Sequence, residues 1–253
     1  MPSARRKIGG FHTHQGRIIN TLQHLAVIMD GNRRWAQQRK LPAIFGHRAG
    51  AERVRTLVKA CAEREVQCLT IFAFSTENWR RPADEVTGLM ALLRRYLQRE
   101  VAALKAQGVQ LRIIGDKSRF SPAIQSLIAS AAEQTAAGTR LQLNIAINYG
   151  GQLDIVQAMQ RWQADHPALS AADLTPEALS PYLATADGPA PDLLIRTGGE
   201  CRISNFMIWQ LAYTELYFTP IFWPDFQEQH LDQAIAWYQE RDRRFGGASQ
   251  KYG

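Results

Sequence analysis

Three cysteines in a 253-residue chain, Cys61, Cys68 and Cys201, are too few and odd in number for a disulfide framework. No Cys-x-x-Cys occurs, so they read as free thiols in a reducing, cytoplasmic setting. Long apolar runs are missing too. Stretches such as Leu25 to Met29 and Ile71 to Phe74 are strand-sized, far below the roughly 18–20 residues of a membrane-crossing helix. The first twenty residues carry Arg5, Arg6, Lys7, His12, His14 and Arg17 without an apolar core, which excludes a secretory signal and reads as a mobile basic extension over 1–20. The usual nucleotide and hydrolase signatures are absent: no G-x-x-x-x-G-K-S/T, G-x-G-x-x-G or G-x-S-x-G, and no His/Cys metal cluster. Lysine is also scarce, supplying six of 30 basic residues.

What is present is arginine. Against 23 acidic residues the chain has a net charge of +7 and a pI near 9.6. Arg grips phosphate with a planar fork where Lys offers a mobile point charge. Either an Arg-favouring codon bias or a polyanionic ligand accounts for this, the ligand being nucleic acid, an anionic membrane face or a diphosphate. With 45% hydrophobic residues the chain is globular, and its length suits one generous domain or two small ones.

Short apolar runs alternate with helical periodicity. Strands are expected at His24 to Met29, Gln67 to Phe74, Val109 to Ile114, Leu141 to Asn148, Asp192 to Arg196 and Glu215 to Phe218. Helices are expected over His47 to Arg64, Ala83 to Gln107, Ser121 to about Ala137, Gly151 to about Gln163 and Asp225 to Arg241, with Phe206 to Leu211 a further candidate. The proline-rich stretch Asp165 to Pro191 reads as a loop with one short helix. The pattern predicts a single α/β domain over 21–247, its roughly six-stranded, mainly parallel sheet flanked by helices, followed by a tail over 248–253.

Ligands of open parallel sheets bind beyond the carboxyl ends of the strands. Three post-strand loops there carry polar groups: Asp30 to Trp35, Ser75 to Pro82 and Thr197 to Asn205. With the preceding Arg196, they bring Arg33, Arg34, Arg81 and Arg202 to one rim, an arrangement suited to phosphate rather than to solvation. Asp30 followed by Gly31 suits a lone carboxylate holding Mg²⁺ together with diphosphate oxygens, or equally a helix N-cap.

These residues carry a resemblance. Asp30-Gly31-Asn32-x-Arg34-Trp35, Gly46-His47, Ser75-x-Glu77-Asn78-Trp79-x-Arg81-Pro82, Arg196-Thr197-x-Gly199-Glu200-x-Arg202-x-Ser204 and Trp209-Gln210-x-Ala212-Tyr213-x-Glu215 resemble the motifs of cis-prenyltransferases, nearest the bacterial undecaprenyl diphosphate synthases. The likeness runs from about His24 to Gly247. It implies a Mg²⁺-dependent homodimer that condenses isopentenyl diphosphate onto farnesyl diphosphate through an apolar product tunnel. The implied product is undecaprenyl diphosphate, a lipid carrier precursor for cell-wall polysaccharide, with shorter or longer chains as the alternative. A peripheral contact with the inner face of the membrane is implied, and nucleic acid is not.

The resemblance also implies roles. Asp30 and Glu215 would hold the metal, and Asp30 and Asn78 would be catalytic, Asn78 as a positioner because a neutral amide is a poor base. Gly31, Asn32, Arg33 and Arg34 would cradle the allylic diphosphate with His47 and Arg81, while Arg196, Arg202, Ile203 and Ser204 would take isopentenyl diphosphate. Ser75, Thr76 and Glu77 join the substrate surface. His47 alone is equally a helix-start residue, and Trp35 and Trp79 either shield an allylic cation or fill core. Leu89, Met90 and Leu93 would line the tunnel or core, with Ala73 at its mouth and Leu141 at its floor. Arg244-Phe245-Gly246 resembles the family's ending, which reaches toward the isopentenyl site across the dimer. Arg33, Ala43 and Cys201 depart from the commoner Gly, Arg and His.

Overall fold

Near-continuous Val, Ile and Leu runs mark strands covered on both faces, and a parallel sheet supplies that cover. The computed structural model describes residues 21–241, and the backbone of His12–His14 (β1) and Arg17–Ile19 (β2), which pair antiparallel. The rest of the 1–20 extension, the 248–253 tail and the Arg244-Phe245-Gly246 ending lie outside the described residues.

Six strands form one all-parallel sheet in the order β5-β6-β4-β3-β7-β8. They are β3 (His24–Ile28), β4 (Cys68–Ser75), β5 (Val109–Ile114), β6 (Leu141–Tyr149), β7 (Leu193–Arg196) and β8 (Glu215–Phe218). The helices are α1 (Asn32–Gln38), α2 (Ala43–Glu63), α3 (Ala83–Ala106), α4 (Pro122–Thr135), α5 (Gly151–Asp165), α6 (Pro176–Leu179) and α7 (Glu228–Gln239). Residues from α2, α3, α4 and α7 share one core with the sheet, including Val58, Leu97, Ile128 and Leu231. A second cluster joins Ala26, Ala146 and Leu194 to Phe206 and Met207.

A polar row crosses the sheet inside this apolar setting. His24 Nε2 meets Thr70 Oγ1 at 2.8 Å, and Asn144 donates to Thr70 Oγ1 at 3.1 Å and to Cys68 Sγ at 3.3 Å. Burial drives the His24 pKa down to about 4, so the ring is neutral. Burial likewise pushes the Cys61 and Cys68 thiols up to about 12, which makes them unreactive; only Cys201 is exposed.

The structure departs from the expected elements where local backbone chemistry overrides periodicity. Helix α2 begins at Ala43 rather than His47, because Pro42 sets the N-terminus four residues earlier. The Asp30 loop is short, since Gly31 takes φ 102° and α1 starts at Asn32. The segment expected to be helical over Phe206 to Leu211 is a set of turns: Ser204, Asn205 and Met207 have φ of 48°, 63° and 44°, which a right-handed helix cannot include. The final helix starts at Glu228, because Trp223–Asp225 forms a 3-10 turn around Pro224. Two single 3-10 turns, Ala171–Asp173 and Ser180–Tyr182, accompany α6 in the proline-rich stretch.

Candidate active site

Because every strand of the main sheet runs the same way, β3, β4 and β7 deliver Asp30, Ser75 and Arg196 to one edge. Asp30 lies just past β3, and its carboxylate receives three groups. Gly31 N–H donates to Oδ1 at 2.6 Å, Arg196 Nη2 to Oδ2 at 2.9 Å, and Arg34 Nη2 stands 3.4 Å away. Burial raises the Asp30 pKa, but the Arg196 hydrogen bond, the Gly31 amide and the charges of Arg196 and Arg34 outweigh it. The carboxyl is therefore held below its usual range and is ionised at neutral pH.

Arg196 is almost wholly buried, with 4% of its side chain exposed. Its Nη1 donates to Ser204 Oγ at 2.8 Å and to the Arg202 carbonyl, and its Nε is buried without a partner among the described residues. A buried, unsatisfied guanidinium N–H beside a carboxylate leaves capacity for an anionic ligand. Arg34 bridges Asp30 to Glu200 at 3.5 Å and lies over the Phe222 ring at 5.4 Å. Arg202 reaches outward to Glu200 at 2.6 Å, with 62% of its side chain exposed.

A second node gathers three of the expected diphosphate ligands around an acid that sequence reasoning missed. Glu85, in the first turn of α3, has 9% of its side chain exposed. It pairs with Arg81 at 3.0 Å, His47 Nε2 at 3.3 Å and Arg33 at 3.8 Å. Burial, then the Arg81 charge, lowers the His47 pKa further than Glu85 raises it, so the ring is neutral at pH 7. Gly46 explains why His47 arrives here. A Cβ at Gly46 would lie 2.0 Å from the Asn32 carbonyl oxygen, so only glycine lets α1 cross α2 at this point. Asn32 itself donates to the Met29 carbonyl at 3.0 Å, and its Oδ1 is buried and unpartnered among the described residues.

Beyond β4 the chain makes one 3-10 turn, Thr76–Arg80. Asn78 Oδ1 accepts from the Ser75 amide at 3.1 Å, which closes this turn and leaves its NH₂ directed elsewhere. Glu77 accepts from Asn205 Nδ2 at 2.8 Å and so joins the loops after β4 and β7. Asn205 was not among the expected site residues, although it closes the Arg196-to-Ser204 motif. Thr76 Oγ1 would lie 2.9 Å from a Cβ at Gly150, and Ile203 packs against the Phe206 cluster.

The two tryptophans have structural partners. Trp35 Nε1 donates to Asp225 at 2.7 Å, and the Arg39 guanidinium covers its ring at 4.1 Å. Trp79 donates to Asn148 at 2.7 Å, meets Phe74 edge-on at 5.1 Å and lies under Arg119 at 4.4 Å. These partners fix the position of each indole, and both rings remain only partly buried.

Met29 and Asn32, the residues flanking the Asp30-Gly31 pair, begin an apolar cavity between the sheet, α2 and α3. Ala73, Leu89, Met90, Leu93 and Tyr96 line it; Ala73 follows Ile71 on the same face of β4, and the β-bulge between Phe72 and Phe74 brings Phe74 to that face as well. Its volume is about 120 Å³, below the ~150 Å³ of a cavity that admits benzene. In place of the expected tunnel, the structure has a narrow slot that is partly open to solvent at Ala73 and along α3. Leu141 does not line this slot: it starts β6 opposite Val109, inside the core.

Glu215 is not brought to Asp30. In the β7–β8 ladder Glu215 pairs with Leu193 and Phe218 with Arg196, so Glu215 stands three residues upstream of the site edge. At ~3.3 Å per residue that is about 10 Å along the strand. Among the described residues no group of three His, Cys, Asp or Glu gathers to hold a metal. The ionised Asp30 carboxylate at the strand end suits Mg²⁺ completed by ligand oxygens and water.

A family model described as "Putative undecaprenyl diphosphate synthase" matches residues 28–246. An isoprenyl transferase of Ralstonia nicotianae is 54% identical over 230 residues, covering 91% of this chain and 89% of that protein. A farnesyl-diphosphate-specific ditrans,polycis-undecaprenyl-diphosphate synthase of Pseudomonas aeruginosa is 53% identical, covering 90% and 92%. Among solved structures, lavandulyl diphosphate synthase of Lavandula x intermedia with dimethylallyl diphosphate superposes with a TM-score of 0.85 at 37% identity, over 89% of this chain and 98% of that one. A "probable undecaprenyl diphosphate synthase" of Campylobacter jejuni gives 0.77 at 34% identity, over 90% and 100%.

Proposed function

The chain belongs to the undecaprenyl diphosphate synthase family of prenyltransferases, and on that premise we propose that it condenses isopentenyl diphosphate units onto farnesyl diphosphate to make undecaprenyl diphosphate. One observation carries the reading. The ionised Asp30 between Arg34 and Arg196 shares a strand end with an apolar cavity that begins at Met29 and Asn32. A site of that composition fits an amphiphile with a diphosphate head and a hydrocarbon tail.

Arg34, His47 and Arg81, with the backbone amides after Asp30, bind the allylic diphosphate. Arg196, Arg202 and Ser204 bind the isopentenyl diphosphate. Asp30 would be the residue that holds Mg²⁺. When bound, the ion neutralises charge on the departing diphosphate. Asn78 orients substrate through its NH₂, since its oxygen is already engaged by Ser75, and a diphosphate oxygen takes the proton from isopentenyl C2.

A homodimer is part of this proposal. The edge strand β8 and the turn before it expose Leu216 (38%) and Tyr213 (72%), a surface suited to a second copy. Such a pairing is also the way Glu215 would approach a site, that of the other protomer. Among the described residues no helix is long and apolar enough to cross a membrane. The proposed setting is the cytoplasm, with peripheral contact at the inner membrane face, where the product serves cell-wall synthesis.

Purified protein with farnesyl diphosphate, labelled isopentenyl diphosphate and Mg²⁺ tests the reading. Chromatography of the dephosphorylated product separates an eleven-unit chain from shorter and longer ones. Absence of elongation by folded protein sinks it. Asp30→Ala should lower turnover by orders of magnitude with an unchanged thermal midpoint, and near-normal turnover would remove Asp30 from its role.

A further inference from the structure

Three large apolar side chains stand in solvent at the turn into α2: Leu41 is 39% exposed, Ile44 37% and Phe45 47%. Single exposed apolar residues are ordinary, but a cluster within five positions beside an apolar cavity is not. Ile44 leans on α3 at Gly88, where its Cδ1 would lie 2.9 Å from an added Cβ. Gly88 precedes Leu89 and Met90, which line the cavity, and His47 lines it from α2. The cluster is therefore the outer rim of the α2–α3 slot.

Cations accompany the rim. Lys40 is exposed beside Leu41; Arg48 is exposed and follows Ile44 by four residues, on the same side of α2. Arg95 is exposed and follows Gly88 by seven, on the side of α3 that meets Ile44. Of the acids on these helices, Glu52 and Glu100 pair with Arg55, Glu63 pairs with Lys59 and Glu85 is buried in its own cluster, which leaves Asp84 exposed at the start of α3. An apolar wedge flanked by basic side chains complements the headgroup layer of an anionic bilayer.

We propose that this rim docks the protein on anionic lipid, with Leu41, Ile44 and Phe45 entering the headgroup–acyl boundary and Lys40, Arg48 and Arg95 meeting lipid phosphates. The inference rests on the prenyltransferase reading and adds a direction to it. The slot opens toward the acyl layer, so a growing or finished chain passes from protein to bilayer without crossing water.

Flotation of the full-length protein with vesicles tests this, using equal parts phosphatidylglycerol and phosphatidylcholine, or phosphatidylcholine alone. Wild-type protein should float with the anionic vesicles, less with the neutral ones, and less as salt rises. The double variant Leu41→Ser/Phe45→Ser should partition about tenfold or more weakly. Arg48→Glu should weaken binding to anionic vesicles alone. Both variants should keep the wild-type rate of the first condensation in vesicle-free buffer, which reports an intact site. Docking is overturned if wild-type protein floats with neither vesicle. It is overturned equally if the double Ser variant floats like wild type, since the basic residues 1–20 would then be the anchor. Folded wild-type protein that floats as expected but elongates nothing would sink the prenyltransferase reading and leave the docking surface in place.

Discussion

Glu85 touches no substrate in the proposed reaction, yet Arg33, Arg81 and His47 all converge on its carboxylate. It acts as a positioning residue, holding the cations that receive the allylic diphosphate. Glu85→Ala should raise KM for farnesyl diphosphate by about tenfold or more, since hydrogen bonds to charged groups are worth roughly 1.5–3 kcal/mol and each ~1.4 kcal/mol is tenfold. kcat should fall less, and Glu85→Gln should recover part of the loss. An unchanged KM in steady-state kinetics would assign Glu85 to packing alone. Asp30, Arg34 and Arg196 were legible in sequence because strand-end residues of a parallel sheet share one edge. Glu85 was not. It reads as an ordinary first-turn acid, and its link to His47 spans 38 positions. Trp35 was ambiguous for the same reason, because its partner Asp225 is 190 positions away.

At the scale of elements, the site depends on how α1 is set against α2. Gly46 and Gly50 both face Asn32, and a Cβ at Gly46 would fall 2.0 Å from a backbone oxygen that cannot rotate aside. Gly46→Ala should therefore displace α1, costing about 1–3 kcal/mol of stability by overpacking. It should also impair turnover more than that loss explains, because Asn32, Arg33 and Arg34 move with the helix. Urea denaturation and initial rates measured together check this; a variant of wild-type stability and rate would show that α1 tolerates the shift. The Gly46-His47 dipeptide stood out in sequence, but only the helix crossing gives it a physical reason. The six strands were readable from their apolar runs to within about a residue or two. The turns at Ser204 to Met207 were not, since nothing in side-chain periodicity announces left-handed backbone.

The whole molecule has two properties that no single element shows. One is acid sensitivity from the polar row through β3, β4 and β6. His24 stays neutral down to about pH 4 when folded and has an ordinary value of 6.5 when free. Between those values the unfolded chain binds a proton that the folded chain refuses. Stability is then full above about pH 6.5 and falls as pH drops toward 4, by about 3 kcal/mol at ~1.36 per pH unit. His47, also lowered, adds in the same direction. Urea midpoints across this range should slope less steeply in His24→Gln than in wild type; equal slopes would place the proton uptake elsewhere. The other property is the narrowness of the slot. A cavity of about 120 Å³ cannot hold a long chain, so α2 and α3 must part as the product grows. Ala73 sits where this opening begins, on the β4 bulge. Ala73→Leu places an isobutyl group in the slot without touching Asp30, Arg34 or Arg196. The first condensation should proceed at the wild-type rate while later ones slow, so that products shorten. If chromatography of the dephosphorylated products instead gives the wild-type length, the chain does not grow between α2 and α3, and the cavity is only a packing defect of the core.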